Sequence, residues 1–140
     1  MGGRATSVFC TAGHLSRLEI DVEDAAAITA RLSGGAIAEI HLDSIQRRYA
    51  RTCKVIGEGG TLLWDYESGI SWFRPGDSRP EQFAIAPEPN EMYLAEMRHF
   101  LACVRRDERP LVDARVGADV LRIALAARRS MESGCTVVVA

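Results

Sequence analysis

Val55-Ile56-Gly57-Glu58-Gly59-Gly60-Thr61-Leu62-Leu63-Trp64-Asp65 is the stretch on which the reading of the fold depends. Cys53 and Val55 lead into it and Leu62 and Trp64 lead out, each pair spaced by two, the period of half-buried strands flanking a tight reversal. Glycine has no β-carbon, so Gly57, Gly59 and Gly60 can take the positive φ that a reversal or bulge needs. A dinucleotide cradle would instead place glycine at the first, third and sixth positions, with a helix after it. Here the sixth position is Leu62, and Thr61-Leu62-Leu63-Trp64 has strand character, so no helix N-terminus follows to receive a pyrophosphate. The stretch reads as a turn between two strands.

Upstream of it the same alternation continues. Residues 6–12 carry Val8, Cys10 and Ala12 on one side of a first strand, and residues 24–32 carry Ala26, Ile28, Ala30 and Leu32 on one side of a second. Ser33-Gly34-Gly35 reads as a hairpin turn into a third strand over residues 36–46. In that strand Ala36, Ala38, Ile40 and Leu42 are expected to face the core, while Ile37, Glu39, His41 and Asp43 point the other way. A carboxylate, an imidazole and a carboxylate in a row form the most chemically suggestive group in the chain, since an imidazole so placed can serve as acid, base or ligand. A solvated strand face is polar by default, so a plain exposed surface is the competing reading.

Downstream, strands are expected over residues 52–56, 61–66, from 70 to about 72, and 82–86, with a loop over 74–81. Asn90 is placed to cap a helix with Tyr93, Met97, Phe100, Leu101 and Val104 as its apolar stripe and Pro110 as its stop. Glu96-x-x-His99 on that helix has the spacing of a carboxylate-bridged metal motif but lacks a second copy, so it reads as helix surface. Asp113 caps a second helix, about residues 114–133, with Val116, Val120, Ile123, Ala124, Ala127 and Met131 buried and Gly134 just past its end. Residues 135–140 read as a last, apolar strand suited to the interior of the sheet. The expected fold is α+β: one domain over residues 1–140, with a large open, mostly antiparallel sheet and two helices packed on one face.

Bulk properties narrow the function. A chain of 140 residues is long enough to bury a core without disulfides or metals. A net charge of −2 argues against a nucleic-acid-binding face. Cys10, Cys53, Cys103 and Cys135 contain no C-x-x-C pair, so neither a zinc knuckle nor a redox dithiol is written, and a reducing cytoplasm is the default compartment. Apolar runs are too short to span a bilayer, and the start lacks the apolar core of a signal peptide. Met1-Gly2-Gly3 leads within a few residues into apolar sequence, which reads as entry partway into a longer protein.

Several short motifs occur together in order: Val22-Glu23-Asp24-Ala25-Ala26, Gly34-Gly35-Ala36-Ile37-Ala38, Ile56-Gly57-Glu58-Gly59-Gly60-Thr61-Leu62, Tyr93 with Glu96 and Phe100, Pro110, Ala126 with Ser130, and Gly134 before Thr136-Val137-Val138-Val139. Taken together they resemble the C-terminal domain of the Gfo/Idh/MocA oxidoreductase family. The resemblance implies a parent enzyme whose N-terminal Rossmann domain binds NAD or NADP, with this domain shaping a sugar, inositol or related polyol site and offering a sheet face for homo-oligomerisation. It also implies that no cofactor is bound by this chain alone. The family's catalytic lysine lies in a Glu-Lys-Pro motif that is not found here, and Lys54, the one lysine, sits in a strand. The family's Asp-and-His pair near the nicotinamide likewise has no match in Asp107, Asp113 or the three histidines, so no catalytic residue is assigned.

Substrate-binding candidates are Glu39, His41, Asp43, Arg47, Arg48 and Tyr49, chosen from strand alternation and local composition. Two alternatives stay open. One is a non-catalytic domain that self-associates through Ile37, Leu63 and Phe73 or pairs with a separate Rossmann chain. The other is a metal site at Glu39, His41 and Asp43, disfavoured because successive same-face side chains lie about 6.5 to 7 Å apart.

Overall fold

The computed structural model describes residues 3–84 and 90–140. The fold is α+β, with two helices and two antiparallel sheets of four strands each. The strands expected in one large sheet thus divide between two. The chain forms two compact units, Met1–Arg47 with Leu111–Ala140, and Arg48–Pro110.

The first unit holds β1 (Ala5–Gly13), β2 (Ala25–Leu32), β3 (Ile37–Asp43), α2 (Ala114–Ser133) and β8 (Val137–Val138), with strand order β3-β2-β1-β8. Its register pairs Val8 with Ala30, Cys10 with Ile28 and Ala30 with Ala38, which puts small and β-branched side chains on one face. Val8, Cys10 and Ala30 meet Ala126 and Ala127 of α2 there, joined by Ile28, Ala38, Ile123 and Met131. Small residues on both surfaces allow the helix to lie close to the sheet. The buried stripe of α2 is therefore Ile123, Ala126, Ala127, Ser130 and Met131, at steps of three and four, while Val116, Val120 and Ala124 of the expected stripe are exposed.

Ser130 is completely buried and ties helix to sheet. Its hydroxyl donates to the Cys135 carbonyl at 2.6 Å and accepts from the Cys10 N–H at 2.9 Å. The reason lies in β8, whose segment meets β1 from Thr6 to Val8 and no farther, so a hydroxyl satisfies the donor that the short strand does not reach. β8 is an edge strand of two residues rather than the interior strand that its apolar run suggests. The run signals burial, but it does not say how many of its residues find a neighbour.

α2 starts and stops where the sequence predicts. Asp113 accepts from the N–H groups of Arg115 and Val116, both at 2.9 Å, and Gly134 ends the helix at φ 67.

The second unit holds β4 (Thr52–Gly57), β5 (Gly60–Asp65), β6 (Gly69–Phe73) and β7 (Glu81–Phe83), paired in sequence order, followed by α1 (Glu91–Arg105). The glycine stretch is the β4–β5 hairpin, with Gly57 opposite Gly60 and Glu58-Gly59 as the loop. Of the three glycines only Gly60 takes a positive φ, 129°. A β-carbon there would sit 2.2 Å from the Phe73 carbonyl oxygen at the end of β6.

β7 begins at Glu81; Ile85 and Ala86 of the expected strand lie outside the described residues. α1 differs from expectation at both ends. Asn90 has helical backbone angles and makes no side-chain cap, and the helix stops at Arg106 in the left-handed conformation, before Pro110. Arg106 donates its N–H to the Ala102 and Cys103 carbonyls, so the closing bonds come from the backbone and no proline is needed. Tyr93, Met97, Phe100, Leu101 and Val104 are all exposed, and α1 buries none of its residues. Of the two expected helices, α2 covers one face of the sheet of its own unit. Periodicity shows which side of a helix is apolar, and it leaves open which surface meets that side.

Candidate functional site

His41 and Asp43 share a face of β3, as the alternation predicts, and the structure brings them together. His41 Nε2 donates to Asp43 Oδ2 at 2.9 Å. Asp43 Oδ1 accepts from the N–H groups of Gln46 at 2.8 Å and Ile45 at 3.1 Å, closing a turn where the strand ends. The Asp43 side chain is only 7 % exposed and the His41 side chain 71 %, so a sheltered carboxylate orients an imidazole that faces solvent. The Gln46 N–H above all, then the Ile45 N–H and the His41 ring, hold the Asp43 carboxyl below its ordinary value against the opposing effect of burial.

Glu39 lies farther back on β3, opposite Thr29, and makes no ion pair among the described residues. Arg47 follows the turn as the last residue of this part of the first unit. Arg48 and Tyr49 open the second unit. There Arg48 binds Glu67 at 2.8 Å, which raises the basicity of its guanidinium, and Tyr49 packs edge-on against Tyr66 at 5.6 Å. The six candidates thus fall into a coupled pair, His41 and Asp43, two unpaired groups near it in sequence, and two residues held by their own partners in the other unit.

Asp43 also lines a cleft of about 350 Å³ between the sheet and α2, with Glu23, Asp24, Leu42, Ser44, Arg128 and others. Among the described residues no group of three or more His, Cys, Asp or Glu side chains is arranged to hold a metal ion. No described helix is long and apolar enough to cross a membrane. The hairpin geometry of the glycine stretch, with β5 leaving it where a helix would be needed, does not fit a dinucleotide pyrophosphate.

Sequence reasoning did not anticipate Asp24. Its side chain is wholly shielded, and Oδ1 and Oδ2 accept from the N–H groups of Leu15 at 2.7 Å and Ser16 at 2.9 Å, with His14 Nε2 3.7 Å away. The Leu15 N–H first, then Ser16 and His14, lower its carboxyl, against the opposing effect of burial. Its partners come from an irregular connection, and no periodicity announces them. Asp65 does the same at the β5–β6 turn, lowered chiefly by Ser68, whose N–H and hydroxyl both donate to it at 2.8 Å.

These three carboxylates make stability depend on pH in acid. Each has a folded pKa below its unfolded value of about 3.9, so each contributes stability that is fully present above that pH. The contribution is lost as pH falls through the lowered folded values. Urea midpoints measured from pH 6 downward should stay level until about pH 4 and then fall. Asp24→Asn should lower the midpoint at pH 6 and flatten the acid limb.

Comparisons with known proteins place this geometry in context. Residues 1–63 match the family whose model is described as the GFO/IDH/MocA C-terminal domain. The chain is similar in fold to the WlbA dehydrogenase from Bordetella pertussis, solved with NADH and UDP-GlcNAcA, at TM-score 0.73 and 22% identity, covering 99% of this chain and 41% of that one. It is similar to aldose-aldose oxidoreductase from Caulobacter crescentus, solved with glycerol, at TM-score 0.75 and 21% identity, covering 97% and 42%. An oxidoreductase domain protein from Kribbella flavida matches at TM-score 0.81 and 15% identity, covering 98% and 45%. The chain therefore spans about two fifths of the length of these proteins. No curated protein matches it.

Proposed function

We propose, from the premise that this chain resembles the C-terminal domain of the Gfo/Idh/MocA oxidoreductases, that it shapes the substrate site of an NAD(P)-dependent enzyme acting on a sugar, inositol or related polyol. The observation that carries the reading is the oriented His41–Asp43 pair, on a strand within the residues that match the family. A ring whose Nε2–H is committed to a carboxylate presents Nδ1 as an acceptor for a substrate hydroxyl when neutral. Glu39 adds an acceptor and Arg47 a donor; the candidates Arg48 and Tyr49 belong to the second unit, where Glu67 and Tyr66 hold them.

A nicotinamide cofactor, bound by a Rossmann domain in cis or in trans, would take hydride from the hydroxyl-bearing carbon. This chain's contribution is to hold the other hydroxyls. WlbA bound to NADH and a sugar nucleotide, and the aldose oxidoreductase bound to glycerol, support that substrate class. Exposed Ile37 on the first sheet, and Leu63 and Phe73 on one face of the second, support the further role of homo-oligomerisation. A cytoplasmic setting agrees with four free thiols.

One preparation tests both roles: the chain joined to a nucleotide-binding domain that confers turnover. His41→Ala is expected to raise KM for the polyol about tenfold, the loss of one hydrogen bond to a polar group. Light scattering should report more than one chain per particle. Unchanged kcat and KM would remove His41 from the site, and a monomer would remove the oligomerisation role.

A further inference from the structure

Three side chains in the second unit stand in line. His99 and Cys103 are four residues apart on α1 and so share a face. Cys103 Sγ lies 3.6 Å from His99 Nε2, and on the far side of the ring His99 Nδ1 lies 2.6 Å from Glu108 Oε2. A carboxylate that carries no proton only accepts, so the tautomer that fits Glu108 carries its proton on Nδ1, and in that tautomer Nε2 can accept from the Cys103 thiol. Thiol and carboxylate engage opposite nitrogens, which rules out all three closing on one ion and makes the row a path for a proton. Nucleophile, base and orienting carboxylate in that order are what activates a thiol for attack.

We propose that Cys103 is a modification site: a nucleophilic thiol, relieved of its proton by His99 and oriented through Glu108, that takes small electrophiles of the alkyl-halide and hydroperoxide classes. With an alkyl halide, the sulfur forms the S–C bond, the carbon–halogen bond breaks, and halide leaves with its electron pair while the thiol proton passes to His99 Nε2. With a hydroperoxide, the S–O bond forms as the O–O bond breaks. The sulfur is oxidised to a sulfenic acid, the peroxide is reduced, and its leaving oxygen receives the thiol proton by way of His99.

The chain contains its own controls. Cys10 is buried, and burial together with Glu23 pushes its thiol up, which suits an inert residue. Cys53 and Cys135 are exposed, and no imidazole lies within hydrogen-bond reach of either thiol among the described residues. Cys103 is half-buried and the His99 side chain is 29 % exposed, which leaves room for a small reagent.

The test is residue-resolved mass spectrometry of the intact chain reacting with iodoacetamide at pH 6.5, where an ordinary thiol is only about 1% thiolate. Cys103 is expected to label at least about tenfold faster than Cys53 and Cys135, within the about hundredfold that full ionisation would give at this pH. The advantage should narrow by pH 9.5, where ordinary thiols ionise unaided. His99→Gln should bring the ratio close to one, and Glu108→Gln, which lies beyond the helix and spares its packing, should reduce it. Hydrogen peroxide followed by a sulfenic-acid trap should mark the same residue. Cys103 labelling no faster than the two exposed thiols, or a ratio unmoved in both variants, overturns the proposal.

Discussion

Ser130→Ala is expected to destabilise the first unit by about 2 kcal/mol or more, the cost of leaving buried polar groups without partners. The hydroxyl both donates to the Cys135 carbonyl and accepts from the Cys10 N–H, and the residue is completely buried, so water cannot replace it. Because the terminal segment meets β1 from Thr6 to Val8 and no farther, no backbone group takes over at Cys10. Ser133→Ala provides the comparison: that residue is exposed, its hydroxyl donates to the Arg129 carbonyl within the same helix and accepts at 3.4 Å from the Cys135 N–H, which water can serve instead, so its loss should cost less than about 0.5 kcal/mol. Urea unfolding followed by helix signal distinguishes the two. Equal midpoints would show that the serine bridge does not hold the helix to the sheet.

Gly60→Ala is expected to cost about 3 kcal/mol in the second unit, with overpacking and a disfavoured backbone region acting together. The added carbon would meet the Phe73 carbonyl oxygen at 2.2 Å, and its other near neighbours, Phe73 C at 3.1 Å and Arg74 Cα at 3.2 Å, are also backbone, so no side chain can swing aside. A φ of 129° adds strain that only glycine escapes. Gly59→Ala, one residue earlier, meets nothing within 4 Å and has no positive φ, so it should be neutral or mildly stabilising. Amide exchange across β4, β5 and β6 reads the difference locally, whatever the stability of the first unit. Similar protection in the two variants would contradict the close approach seen at Phe73.

This contrast shows how far the sequence carries. Alternation at Cys53, Val55, Leu62 and Trp64 was enough to read a hairpin and to set aside a phosphate cradle. Nothing local distinguishes Gly60 from Gly59, because the constraint comes from β6, thirteen residues later in the chain. The division into two sheets was hidden for a similar reason. Each strand's pattern reports its own two faces, and the choice of neighbour beyond a hairpin is made by loops such as residues 44–51.

At the candidate site, His41 and Asp43 could be paired in advance because strand geometry puts residues two apart on one side. Asp24 could not, since its donors Leu15 and Ser16 lie on a connection without a period. The His99–Cys103 spacing was legible as one turn of helix. The carboxylate that His99 meets was not, because Glu108 lies past the helix end, where no helical spacing ties it to the ring.

The first unit is discontinuous along the chain, and that has a consequence for how the protein is made. Val8 and Cys10 leave the ribosome before residues 48–110, while Ala126, Ala127 and Ser130, which cover them, leave after. Residues 48–110 can complete their own local hairpins in the interval, since β4 to β7 pair only with strands next to them in sequence. The first sheet meanwhile waits with an apolar face uncovered, and its closure spans almost the whole chain. A nascent chain halted before α2 would present that face to solvent, and so to chaperones.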